Sequence, residues 1–152
     1  YYTELYEDNV SSISFLFKAA QSLKNDDVKL SERLYIPSSR LRGFKRRKIG
    51  PIDGGDYVGG NYAAAINFEA ALPNLLPETS STEVGLFLDF GNVWGVDYDS
   101  TIDESNKIRS STGIAASWLS PLGPMTFILS QNLSKADTDE TQSFSFNLGT
   151  TF

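Results

Sequence analysis

The chain has 152 residues, with 19 acidic against 13 basic side chains for a net charge of −6, and contains neither cysteine nor histidine. Disulfide staples, thiolate metal sites and the commonest general base are therefore excluded. No stretch approaches the roughly eighteen apolar residues of a membrane-crossing helix, and the opening Tyr1-Tyr2-Thr3-Glu4-Leu5 has no initiator Met or leader-like apolar region, so it reads as an interior cut from a longer protein.

Period-2 alternation recurs along the chain, whereas helical periodicity is weak. Residues 1–6 fit the end of a strand, and residues 11–23 place Ile13, Phe15 and Phe17 on one face. A long connection, about 24–60, follows. Residues 61–72 set Tyr62, Ala64, Ile66, Phe68 and Leu72 against Asn61, Asn67 and Glu69. After a short connection at 73–80, residues 83–94 set Val84, Leu86, Leu88, Phe90 and Trp94 against Glu83, Gly85, Phe87, Asp89 and Gly91. A long connection at 95–106 leads to residues 107–119, where Ile108, Ile114, Ala116 and Trp118 oppose Arg109, Ser111, Gly113, Ala115 and Ser117. Pro121, Gly123 and Pro124 suit a tight turn at 120–124, because proline fixes φ and glycine tolerates positive φ. Residues 125–133 align Met125, Phe127, Leu129 and Leu133. A long connection at 134–141 then precedes 142–152, with Phe144, Phe146, Leu148 and Phe152 on one face and Gly149 on the other. Six strands are expected, and residues 1–6 as part of a seventh.

Each run is near the roughly 9–11 residues that cross a bilayer as a tilted strand. Alternation alone also suits a soluble sandwich. The connections decide: long and short ones alternate, so all long loops fall at one end, as in outer-membrane barrels. Tyr62, Trp94, Trp118 and Phe152 near strand ends fit interfacial aromatic girdles. The fold expected is all-β, an antiparallel transmembrane β-barrel of the bacterial outer membrane. An unpaired strand edge costs several kcal/mol per group in lipid. The last strand must therefore pair with one outside this chain, with Phe152 at the periplasmic end.

Six of the thirteen basic residues fall between Arg40 and Lys48. Lys45-Arg46-Arg47-Lys48 alone has the composition of a nucleic-acid patch, but no aromatic platform accompanies it. A solvated or lipopolysaccharide-facing loop is the simpler reading, with no nucleic-acid partner. Glu69 and Asp89 face inward on neighbouring strands. As a glycosidase-like pair they lack any accompanying catalytic group, so no enzymatic activity, cofactor or metal is expected. They either face a wet lumen or join a structural ion pair. Arg42, at a loop tip and followed by Gly43, is the candidate partner; inward-facing Arg109 is its competitor.

Several motifs occur in an order that resembles the C-terminal barrel of the BamA family of outer-membrane protein assembly factors. They are Leu41-Arg42-Gly43-Phe44, Gly50-Pro51, Gly59-Gly60-Asn61-Tyr62, Phe87-Leu88-Asp89-Phe90-Gly91-Asn92-Val93-Trp94, Arg109-Ser110-Ser111-Thr112-Gly113, Ser120-Pro121-Leu122-Gly123-Pro124 and the terminal 144–152. The resemblance spans about 34–152 and implies a sixteen-stranded barrel behind periplasmic POTRA domains, with this chain holding its last six strands. It implies that Arg42 reaches into the lumen onto Asp89 and Glu69, with Gly43 and Phe44 beside it in the same loop-to-barrel ion cluster. It also implies that Phe144, Phe146, Leu148, Gly149 and Phe152 form both an assembly signal and half of a weakly paired seam. The implied function is folding and insertion of β-barrel proteins. The implied partners are unfolded outer-membrane clients, accessory lipoproteins on the periplasmic part, and membrane lipid with lipopolysaccharide. The alternative is a polypeptide-secretion pore of the same superfamily, of the two-partner or TamA type. Pro37-Ser38-Ser39 replaces the family's frequent Gly-Gly before R-G-F, and the loop between Gly50 and Gly59 is short.

Overall fold

The structure is a computed structural model that describes residues 9–22, 27–73, 75–76, 81–99, 101–102, 106–121 and 123–149, together with the backbone of 2–6. These residues form one antiparallel sheet in simple chain order. It comprises β1 (Tyr2–Tyr6), β2 (Asn9–Ala19), β5 (Tyr62–Ala71), β6 (Thr82–Trp94), β7 (Arg109–Ser120), β8 (Gly123–Ser134) and β9 (Phe144–Leu148). A two-residue hairpin, β3 (Ile52–Asp53) with β4 (Asp56–Tyr57), stands apart within the longest loop.

The sheet has seven strands, the six expected and β1, which pairs with β2 across a register shift between Glu4 and Tyr6. Among the described residues the final strand begins at Phe144, two residues later than the alternation suggested, because Gln142 bonds to the Gly43 carbonyl of the long loop instead of to β8. Phe152, and with it the expected periplasmic end, lies outside the described residues. Loops 20–61, 95–108 and 135–143 lie at one end of the strands, and the tight connections at the other.

The two faces have opposite chemistry. On the bare face Phe15, Phe17, Leu86, Ile114, Leu129, Phe144 and Leu148 are 46–71% exposed. An extended apolar surface of this kind needs a non-aqueous neighbour. The other face is covered by loop 20–61, and the core lies between the two. Ile36, Leu41, Phe44 and Ile49 of the loop pack on Ala63, Ala65 and Val93 of β5 and β6. Ala63 and Ala65 are poor strand formers, but their small size makes room for those loop side chains. Burying each large aliphatic or aromatic group there contributes about 1.5–3 kcal/mol.

Candidate functional site

Strand register builds the floor of the site. Ser14, Asn67, Asp89 and Ser111 are successive cross-strand partners in one row, and Glu69, Phe87 and Gly113 form the next. Side chains two apart share a face, and partners directly opposite lie about 4.5–5.5 Å apart at Cβ. Asp89 is thus held between the Asn67 amide and the Ser111 hydroxyl, while Glu69 and Phe87 stand side by side.

Loop residue Arg42 lies over both rows. Its Nε and NH2 donate to the two oxygens of Asp89 at 2.7 and 2.6 Å, a bidentate fork, and NH1 donates to Glu69 Oε1 at 2.6 Å. The guanidinium stacks 3.9 Å above the Phe87 ring centroid. Its backbone takes part as well. The Arg42 N–H donates to Asp89 Oδ2 at 3.0 Å, and the Arg42 carbonyl accepts from Ser111 Oγ. Asn67 Nδ2 gives Asp89 a further bond at 2.8 Å and also donates to the Arg40 carbonyl, so wall and loop share one network. Asp89 is fully buried and Glu69 is 51% exposed. The first pair is therefore desolvated and geometrically demanding, and the second is screened.

Gly43 sits at φ +87°, and a Cβ there would stand 3.1–3.3 Å from Ser130 and Asn132. A glycine is needed both for the positive φ and for the close approach to β8. Its carbonyl accepts from Asn132 Nδ2 at 2.9 Å and from the Gln142 N–H at 3.0 Å. Phe44 turns the other way, into the core. The base of the loop closes through reciprocal backbone bonds between Leu34 and Gly60. A Cβ on Gly60 would collide with the Trp94 backbone.

Arg109 does not share the carboxylates of Arg42. It is completely buried against Asp139 of loop 135–143, Nε to Oδ2 at 2.9 Å and NH2 to Oδ1 at 3.0 Å, while NH1 donates to Asn92 Oδ1 at 2.6 Å. Nothing in the sequence pattern singled out Asp139, which sits in a loop without periodicity. A third cation, Arg33, pairs with Asp97 at 2.6 Å near the loop base. Burial alone would raise the Asp97 pKa, but hydrogen bonds from the Val28 N–H, Asn61 and Arg33 outweigh it and hold the carboxyl at about 2.

The basic run is only partly free to face outward. Lys45 and Lys48 both reach Glu140, at 2.9 and 3.3 Å, and their hydrogen bonds hold its carboxyl below the usual glutamate value. Arg47 lies over Tyr35 and Lys48 over Tyr57. Phe144, Phe146 and Leu148 point to the bare face, away from this network. Among the described residues no cluster of His, Cys, Asp and Glu could hold a metal.

The Omp85 superfamily domain matches residues 1–152. The chain is 33% identical over 141 residues to the outer membrane protein assembly factor BamA of Neisseria meningitidis serogroup B, a match covering 74% of this chain and 17% of that protein. It is 25% identical over 150 residues to the BamA of Neorickettsia risticii, covering 95% of this chain and 20% of that protein. The crystal structure of BamA from Haemophilus ducreyi lacking POTRA domains 1-3 matches the fold with a TM-score of 0.83 at 24% identity, over 95% of this chain and 32% of that one. The chain therefore spans about one fifth of the length of the curated relatives it matches.

Proposed function

The chain belongs to the Omp85 superfamily, and from that premise we propose that it supplies the C-terminal strands of an outer-membrane barrel that folds and inserts other β-barrel proteins. The observation that carries this reading is the anchored R-G-F loop. A buried, bidentate Arg42–Asp89 pair pins an apolar-backed loop across the lumenal side of the wall. A passive channel would need that space open.

The membrane placement is supported by dimensions. Tyr62 and Trp94 stack at 5.7 Å at the loop end, and Trp118 lies opposite Thr82 at the turn end. The thirteen residues from Thr82 to Trp94 span ~40 Å along the strand. A tilt of about 40° brings this near the roughly 30 Å hydrocarbon core. The remaining strands of the sixteen, and the POTRA domains that would meet accessory lipoproteins, lie in the longer protein. In this reading the unpaired edge of β9 belongs to the seam, with unfolded outer-membrane proteins as clients and neither cofactor nor catalytic residue involved.

The test is reconstitution of the full-length protein in liposomes with a urea-unfolded β-barrel client and no ATP. Faster appearance of heat-modifiable, folded client than in empty liposomes is expected. Equal rates contradict the reading, and passage of a polypeptide into the lumen without insertion favours a secretion pore.

A further inference from the structure

Among the described residues, the loop that carries Arg42 and the connection that enters the last strand share a short backbone ladder. The Gln142 N–H donates to the Gly43 carbonyl at 3.0 Å, the Lys45 N–H to the Glu140 carbonyl at 2.9 Å, and the Glu140 N–H to the Lys48 carbonyl at 3.1 Å. Phe44 and Thr141 are the bridge pair between them. Residues 140–142 therefore direct hydrogen bonds to the loop at the height where a continuing β9 would bond to β8. Backbone pairing with β8 resumes at Ser143, whose carbonyl accepts from the Ser130 N–H.

The ladder is anchored at both ends. One anchor is the Arg42 cluster just described. The other immediately precedes residue 140. Asp139 is 6% exposed, accepts from two of the three guanidinium nitrogens of Arg109 and from the Ala136 N–H at 2.7 Å, closing its own turn. Tyr57 from the β3–β4 hairpin donates to the Thr138 carbonyl and seats the same turn against the loop.

We propose that the buried Arg109–Asp139 pair is a second loop-to-wall anchor that holds residues 140–142 on the R-G-F loop and so fixes where the last strand enters the sheet. Arg109 and Asp139 are positioning residues, and this role rests on the assembly reading only for its consequence, namely control of how far the loop end of the seam stays shut. Arg109 projects from the start of β7 and cannot follow a moving loop, whereas Asp139 can. Loss of the pair frees the turn and leaves a short exposed ladder to hold the strand entry alone. Exposed backbone pairing without buried support is the first to open locally.

The test uses the full-length protein with Lys45→Cys and Glu140→Cys, two half-exposed residues of the ladder. Disulfide formation requires the two Cα atoms within about 7 Å. With the anchor intact, the cross-link forms rapidly under mild oxidation. With Asp139→Asn added, its rate falls several-fold while heat-modifiability, which reports the whole barrel, is retained. Arg109→Asp combined with Asp139→Arg recovers part of the rate. An unchanged rate in Asp139→Asn overturns the proposal. Should that variant fail to accumulate, Asn92→Ala, which leaves Asp139 in place but removes the Asn92 contact to Arg109 together with the Asn92–Asn106 bond, carries the same test with a smaller drop, and no drop there overturns it. Client insertion measured on the same samples is a separate readout. A lost cross-link with full insertion activity leaves the anchor standing and counts against its control of the seam, whereas absence of insertion by the protein with the anchor intact counts against the assembly reading.

Discussion

Replacing Arg42 by alanine removes three side-chain hydrogen bonds to carboxylates and the stack over Phe87, but the losses are unequal. Glu69 is 51% exposed, so its pair contributes only about 0–1 kcal/mol. Asp89 is fully buried, and a buried carboxylate deprived of its partner costs about 3–5 kcal/mol. Two donors stay with it in the variant: Asn67 Nδ2 at 2.8 Å and the backbone N–H of residue 42 at 3.0 Å, which alanine retains. That places the expected destabilisation at the lower end, about 3 kcal/mol. Glu69→Gln should lose about 1 kcal/mol or less. Arg42→Lys should fall between them, because one ammonium cannot reproduce a fork spanning two carboxylates. The assay is urea unfolding of the full-length protein in lipid vesicles, followed by heat-modifiable mobility. An unmoved midpoint for Arg42→Ala, or equal losses for Arg42→Ala and Glu69→Gln, refutes the reasoning.

Three further outcomes follow from the same geometry. Gly113→Ala places a methyl group into the Leu129 carbonyl oxygen and 2.8–2.9 Å from the Phe87 ring that supports Arg42. It should destabilise by more than about 3 kcal/mol by overpacking, read in the same urea series, and a near-neutral result contradicts the packing described. Gly43→Ala combines φ +87° with contacts of 3.1–3.3 Å to Ser130 and Asn132. About 1–3 kcal/mol is expected, with faster proteolysis of the 24–60 loop as a second readout; unaltered cleavage contradicts it. Asp97 is held at about 2, below its ordinary 3.8. A depressed carboxyl stabilises above its unfolded pKa, and that stabilisation is lost as pH falls through the folded one. The difference in thermal midpoint between the native protein and Asp97→Asn should therefore be full at pH 6 and shrink between pH 4 and pH 2. A constant difference over that range contradicts it.

Much of the wall is legible in the sequence because one physical rule writes it. Where one face must be apolar and the other small or polar, residues such as Phe144, Phe146 and Leu148 alternate with Ser145 and Asn147, and strand limits follow. The floor of the site is legible for the same reason, since Asp89 and Glu69 fall on the polar phase of adjacent strands. The loops obey no such rule. Arg109 has the inward phase, yet its partner Asp139 is 30 positions away in an aperiodic turn, so only the folded path identifies it. Lys45-Arg46-Arg47-Lys48 reads as a block of charge, but Glu140, brought alongside by backbone pairing, neutralises part of it. By pattern, residues 140 and 141 read as the end of a loop and Gln142 as the start of the last strand. They pair with the R-G-F loop because Gly43 comes close enough to offer its carbonyl.

The most direct test of the account is a charge exchange in the full-length protein: Arg42→Asp alone, Asp89→Arg alone, and both together, scored by complementation of outer-membrane protein assembly. Each single change should abolish assembly, because like charges meet at a buried site, and the double change should restore part of it. Single variants that assemble β-barrel proteins at the native level would contradict it and return Arg42 to the status of a solvated loop residue.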